Sequence, residues 1–119
     1  MDRAHPAPPK PLSAPVLHIL LALADGPRHG YEIKHDVEQR SDGAVRLGPG
    51  TLYEAIQRLE DDGLIEEAAA ATPSNGQEAQ RRYYRLTDRG WARLRADVRR
   101  LGQILAHARA NPRLKKELA

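Results

Sequence analysis

Residues 48–66, GPGTLYEAIQRLEDDGLIE, constrain the fold more than any other stretch of this chain. They predict one short helix with a marked start, a one-sided apolar face and a glycine stop. Thr51 and Glu54 have the T-x-x-E spacing of a capping box, in which the threonine oxygen takes an orphan helix N–H and the glutamate reaches back. Leu52, Ile56 and Leu59, with Ala55, recur at spacings of three and four and so share a face. Gly63 suits the left-handed residue just past a helix end, and Leu64-Ile65 begins a strand. Tyr53, Gln57 and Arg58 remain on the outer face. A short amphipathic helix with a polar, hydrogen-bonding outer face has the shape and chemistry that reading a DNA major groove requires.

The surroundings of this helix set the scale of the domain. The chain has 119 residues and no Phe, one Trp and four Tyr. One domain of this size buries roughly two-thirds of its unfolded surface. Its core must be built from Leu, Ile, Val and Ala, which suits packing between helices better than a β-sandwich. Cysteine is absent, which excludes disulfides and thiol catalysis and fits a reducing compartment. The first fifteen residues hold no apolar run that resembles a signal peptide, and the apolar stretch near residues 16–24 is too short to span a bilayer. These features predict a soluble, cytoplasmic protein without a membrane partner.

The hydrophobic pattern divides the chain further. Residues 1–12, rich in proline, are expected to form a flexible arm. Ser13 can cap a helix with Pro15 in its first turn, and Val16, Ile19, Leu20 and Leu23 then form a stripe that Asp25-Gly26-Pro27 ends. A second helix is expected from about Gly30 to Arg40, with Ile33 and Val37 inward and Lys34, His35 and Glu38 outward. Ser41-Asp42-Gly43 forms a turn, and Val45-Arg46-Leu47 fits a very short strand. After the central helix, two strands are expected, Leu64 to about Ala68 and about Gln80 to Leu86, joined by a long tip containing Asn75-Gly76. Tyr84 and Leu86 share the core face of the second strand, and Arg81, Tyr83 and Arg85 share the other.

Thr87 and Asp88 open a last helix that Asn111-Pro112 stops, roughly 33 Å long at ~1.5 Å per residue. Trp91, Leu94, Val98, Leu101, Leu105 and Ala108 are spaced three and four apart, a heptad seam suited to pairing with a second copy. Such a helix outruns a three-helix core, so dimerisation is preferred over packing within the chain. The domains read as 1–12, arm; 13–86, DNA-binding unit; 87–110, dimerisation helix; and 111–119, basic tail. The net charge is +3, but it is divided unevenly. Residues 1–80 carry 7 Lys/Arg against 13 Asp/Glu, and residues 81–119 carry 12 against 3. A basic half of this kind points to a polyanion, and the alternative is a solvated arginine-rich helix.

Three helices followed by a two-stranded hairpin is the order of a winged helix-turn-helix: mainly α with a small β-hairpin, plus a C-terminal dimerisation helix. The first two helices bury the apolar side of the third, which presents its opposite side to bases while the hairpin reaches the sugar-phosphate backbone. At this point the sequence resembles the PadR family of bacterial transcriptional regulators. The matching residues are His29-Gly30-Tyr31-Glu32-Ile33, Gly50-Thr51-Leu52-Tyr53, Leu59-Glu60 with Gly63-Leu64-Ile65, and Arg81-Arg82-Tyr83-Tyr84-Arg85-Leu86-Thr87 followed by Gly90. The match covers about residues 16–105. The resemblance implies a homodimeric winged-helix repressor that pairs through its C-terminal helix, here of the short subgroup with a single such helix. In some members an aromatic-lined pocket at the dimer interface binds flat drug-like molecules. Here mid-helix offers Val98, Leu101 and Leu105 with no aromatic residue, a departure from that pocket, and Trp91 is the candidate effector contact.

The candidate sites follow. For DNA they are Tyr31, Lys34, Thr51, Tyr53, Gln57, Arg58, Arg81 and Arg82; for dimerisation, Trp91, Leu94, Val98, Leu101 and Leu105. Each has a plainer reading. Tyr31 also fits a packing residue, Thr51 a simple cap, and Arg81 and Arg82 edge-strand charges that block aggregation. The five histidines are scattered without metal spacing, no phosphate loop is visible, and Ser13, Ser41 and Ser74 lack a nucleophile context. No enzyme activity, metal or cofactor is expected. The expected partners are double-stranded DNA, a second copy and a small-molecule effector. Rival readings are a winged-helix adaptor for other proteins and a small-molecule-binding dimer with weak DNA affinity.

Overall fold

The computed structural model describes residues 10–69 and 81–117. Most of the expected arm, the Asn75-Gly76 turn and the expected strand start at Gln80 lie outside the described residues. The elements in order are α1 (Ala14–Ala24), β1 (Arg28–His29), α2 (Gly30–Arg40), α3 (Pro49–Asp61), β2 (Ile65–Ala68), β3 (Tyr83–Leu86), α4 (Asp88–Ala110) and α5 (Pro112–Glu117). The fold is mainly helical with a three-stranded antiparallel sheet in the order β1-β3-β2. Among the described residues no helix is long and apolar enough to cross a membrane.

One apolar core receives a face from almost every element. Ile19, Leu20 and Leu23 come from α1, Ile33 and Val37 from α2, and Leu52, Ile56 and Leu59 from α3. Ile65, Tyr84 and Leu86 close it from the sheet, and Leu94 enters from α4. Ser13 caps α1, its hydroxyl oxygen accepting the Val16 N–H at 3.4 Å. Gly26, at φ 132°, then turns the chain into β1. In the sheet, Arg28 and His29 lie opposite Tyr84 and Tyr83, and Glu66 and Glu67 lie opposite Arg85 and Tyr84.

Two local expectations are corrected. Thr51 and Glu54 do not form a capping box. α3 starts at Pro49, capped by the backbone of Gly48 with no side-chain bond, so Thr51 is already the third helical residue. Proline fits that first position because its φ is preset and the N–H it lacks would have been an orphan. Secondly, Val45-Arg46-Leu47 is a loop, not a strand. The Ser41 hydroxyl takes the Val45 N–H at 3.0 Å and gives its proton to the Val45 carbonyl at 3.3 Å, diverting the backbone from any ladder. Within the basic tail, residues 112–117 form α5, whose first amides are capped by Asn111 Oδ1.

The α4 junction is tightly built. A single residue, Thr87, separates β3 from α4. Its Oγ1 accepts the Gly90 N–H at 3.0 Å and donates to the Gly63 carbonyl at 2.6 Å, while its backbone N–H reaches the Leu64 carbonyl at 3.1 Å. Gly90 is required by space: a Cβ there would lie 2.0 Å from the Leu64 oxygen. Farther along α4, the buried Asp97 carboxylate accepts the Leu12 N–H at 3.0 Å and an Arg100 N–H at 3.1 Å, with Arg93 Nε 3.8 Å away. Arg93 in turn donates to the Lys10 carbonyl. The segment before α1 is thereby strapped to α4.

Two outcomes follow for stability. Gly90→Ala should cost about 1–3 kcal/mol or more, because the clash is with backbone that cannot swing aside. Asp97→Ala should cost roughly 1.5–3 kcal/mol, since it strands two guanidinium groups and an amide. Urea denaturation midpoints measure both, and a Gly90→Ala protein as stable as the parent would contradict the close approach.

Candidate nucleic-acid interface

The face of α3 opposite the core carries Tyr53, Gln57 and Arg58, all exposed. This follows from helical spacing: Leu52, Ile56 and Leu59 are drawn inward, so the positions between them point out. Gln57 Nε2 donates to Asp61 Oδ1 at 3.1 Å, one turn along. Thr51 is exposed in the first turn of α3, among amides that have no partner within the helix.

Beside this face is a notch of about 400 Å³ walled by His29, Gly30, Tyr31, Tyr53, Arg81, Arg82 and Tyr84. It gathers the start of α2, the outer face of α3 and the base of the β2–β3 hairpin. Four residues singled out from sequence meet here: Tyr31, Tyr53, Arg81 and Arg82. Lys34, Thr51, Gln57 and Arg58 lie outside its walls. Tyr31 is 70% exposed and Tyr53 56%, so neither is held by the core. The absent side chain of Gly30 makes room for Tyr53, whose hydroxyl would sit 3.0 Å from a Cβ at that position. Tyr84 lies at the floor. Burial pushes its phenol above the ordinary value, with the charge of Glu60 adding to the shift, so it remains a neutral hydroxyl at physiological pH.

The cations around the notch are held by carboxylates of the same chain. Lys34 pairs with Glu38 at 3.6 Å, Arg82 with Glu67 at 3.4 Å and Arg85 with Glu66 at 2.8 Å. Partly exposed pairs such as these are worth only ~0–1 kcal/mol, so a phosphate can displace the carboxylate at little cost.

His29 is the residue that sequence reasoning did not assign. It is 5% exposed and caps α2: Nδ1 accepts the Glu32 N–H at 3.2 Å, and Glu32 Oε1 accepts the His29 N–H at 3.1 Å. The opposite ring nitrogen, Nε2, lies 2.9 Å from an Arg81 guanidinium nitrogen. The ring stands edge-on to Tyr83, with centroids 5.2 Å apart. A glutamate three residues after His29 was the available signal, but histidine is outside the usual capping set.

The heptad seam of α4 divides between two environments. Leu94, one of the expected seam residues, is only 4% exposed and packs in the chain's own core. Val98, Leu101 and Leu105 are exposed, as is Trp91, and Ile104, not counted from sequence, is 53% exposed. Trp91, Arg95, Val98 and Arg99 border a shallow groove of about 370 Å³ with Leu94 at its base.

A model of the transcriptional regulator PadR-like family matches residues 19–96. A transcriptional regulator of Mycobacterium tuberculosis is 35% identical over 88 residues, covering 74% of this chain and 76% of that protein. An uncharacterised 37.1 kDa transposon protein of Streptomyces fradiae is 55% identical over 47 residues, 40% of this chain, and the match spans only 13% of that longer protein. PadR of Bacillus subtilis, solved in complex with operator DNA, superposes with a TM-score of 0.57 and 25% identity, over 68% of this chain and 44% of that one. The family match extends from the core of α1 to the middle of α4, taking in the whole notch and the α4 junction, and on that basis the chain belongs to the PadR-like family of transcriptional regulators, which are not enzymes.

Proposed function

We propose that the protein is a cytoplasmic, homodimeric repressor that reads a specific DNA sequence and is released by a small-molecule effector. The observation that carries this reading is the exposed polar face of α3 flanked by a notch that holds two tyrosines and two arginines. Tyr53, Gln57 and Arg58 enter or border the major groove. Lys34, Tyr31, Arg81 and Arg82 meet the sugar-phosphate backbone, and Thr51 brings the amides at the α3 N-terminus near a phosphate. The solved complex of the Bacillus subtilis relative with operator DNA supports double-stranded DNA as the partner.

Pairing of two chains accounts for the apolar surface of α4. Trp91 precedes the core contact at Leu94, and Val98, Leu101 and Leu105 follow it, each with more than a third of its surface exposed. Two such helices in a two-fold dimer bury each other's seam and space the two α3 helices for half-sites about one helical turn (~34 Å) apart. Leu94 contributes from the inner side, as the joint between this seam and the core. The groove at Trp91 lies at the same surface, which makes it the place for an effector to bind and rotate one subunit against the other.

Electrophoretic shifts with the DNA upstream of the gene, at several salt concentrations, test the assignment. Gln57→Ala should weaken binding about 10-fold, and only for DNA that carries the base it reads. Arg81→Ala should weaken every sequence alike and lower the salt slope by about one. Equal losses from both changes on every DNA would contradict the division of roles. For dimerisation, Val98→Asp with Leu101→Asp should give a folded monomer in sedimentation equilibrium. A double variant that sediments as a dimer removes α4 from the interface.

A further inference from the structure

His29 touches two of the elements that approach DNA, yet it is nearly sealed from solvent and has no place in the contacts above. Its two ring nitrogens face different demands. Nδ1 lies 3.2 Å from the Glu32 N–H, which needs an acceptor, and Nε2 lies 2.9 Å from an Arg81 N–H donor. Glu32 Oε1, an acceptor, is 3.4 Å from Nε2. A neutral imidazole has one N–H and one lone pair. With its proton on Nε2, the ring caps α2 and donates to Glu32, but it meets the Arg81 donor with another donor. With its proton on Nδ1, the ring accepts from Arg81, and the α2 cap is lost. One lone pair serves either the helix or the guanidinium.

From this geometry we propose that His29 is the positioning residue for Arg81, exchanging its cap on α2 for a hold on the hairpin arginine when DNA arrives. The inference rests on the DNA-binding reading above. Arginine has five N–H groups in a rigid fork, so one nitrogen can bond to His29 while another donates to a phosphate. A phosphate that fixes the fork raises the value of a lone pair on Nε2, and the ring proton moves to Nδ1. The capping lone pair is given up at the first turn of α2, where Glu32 continues to accept the His29 backbone N–H. Because Tyr31 follows two residues after His29, backbone engagement at the hairpin is thereby linked to the α2 contact.

The test combines affinity with a direct view of the ring. His29→Asn retains a capping oxygen but is too short to reach Arg81. It should weaken binding to all DNA sequences about 3- to 10-fold, the loss of one hydrogen bond that orients the Arg81 fork. In an Arg81→Ala background it should have no further effect. Additive losses in that cycle would overturn the proposal. An Arg81→Ala protein with unchanged DNA affinity would overturn both this inference and the backbone role of Arg81. The ring itself is read in the unsubstituted protein, by nitrogen-15 NMR of the imidazole, so the outcome does not depend on how well His29→Asn folds. Operator DNA should shift the His29 proton from Nε2 to Nδ1, and Arg81→Ala should abolish the shift. The same tautomer with and without DNA would sink the exchange.

Discussion

The contact on which the rest of the molecule depends is the seating of α4 on the Leu64 carbonyl. Gly90 permits it by having no side chain, and Thr87 locks it by bonding to both Gly63 and Gly90. The junction ties three things at one point: the turn after α3 at Gly63, the residue before β2 at Leu64 and the first turn of α4. Because one residue separates β3 from α4, the hairpin and the long helix form a nearly rigid unit. A rotation of α4 is therefore passed on to the notch and the outer face of α3 rather than absorbed by a linker. Close packing of this kind transmits displacement because it has no slack to take it up.

The long helix has two sides with different duties. One side faces inward through Leu94 and Asp97, and the carboxylate of Asp97 straps the segment at Lys10–Leu12 across it. The other bears Trp91, Val98 and Leu105 and remains open. Leu94 shows why a heptad pattern by itself does not separate the two. It has the spacing of a seam residue, and the same spacing serves for packing on α1 and the sheet, since both partners present apolar side chains at that depth.

Most of the architecture was legible in the sequence because its signals were strong and local. Ser13 with Pro15, the Ile33/Val37 pair, the alternation of Tyr84 and Leu86, and Thr87 before Asp88 each place an element within a residue or two. The failures have physical causes. Thr51 had the right partner at the right spacing, but Pro49 claimed the helix start first. Arg28-His29 is a strand only because β3 lies beside it, and nothing in two residues carries that information. Of the candidate contacts, Tyr31, Tyr53, Arg81 and Arg82 converge on the notch, which spacing alone could not reveal. His29 was quoted as part of a motif but not as a working residue, since its role depends on a guanidinium 52 positions away in the chain.

The strap at Asp97 also bears on how the protein comes to be folded. Leu12 and Asp97 are 85 positions apart, and α1 packs against both β3 and α4. α1 thus completes its packing only when β3 and α4, far along the chain, have docked on it. A core closed by contacts between residues so distant in sequence carries a larger loop-closure cost than one closed by local contacts, and that cost slows folding.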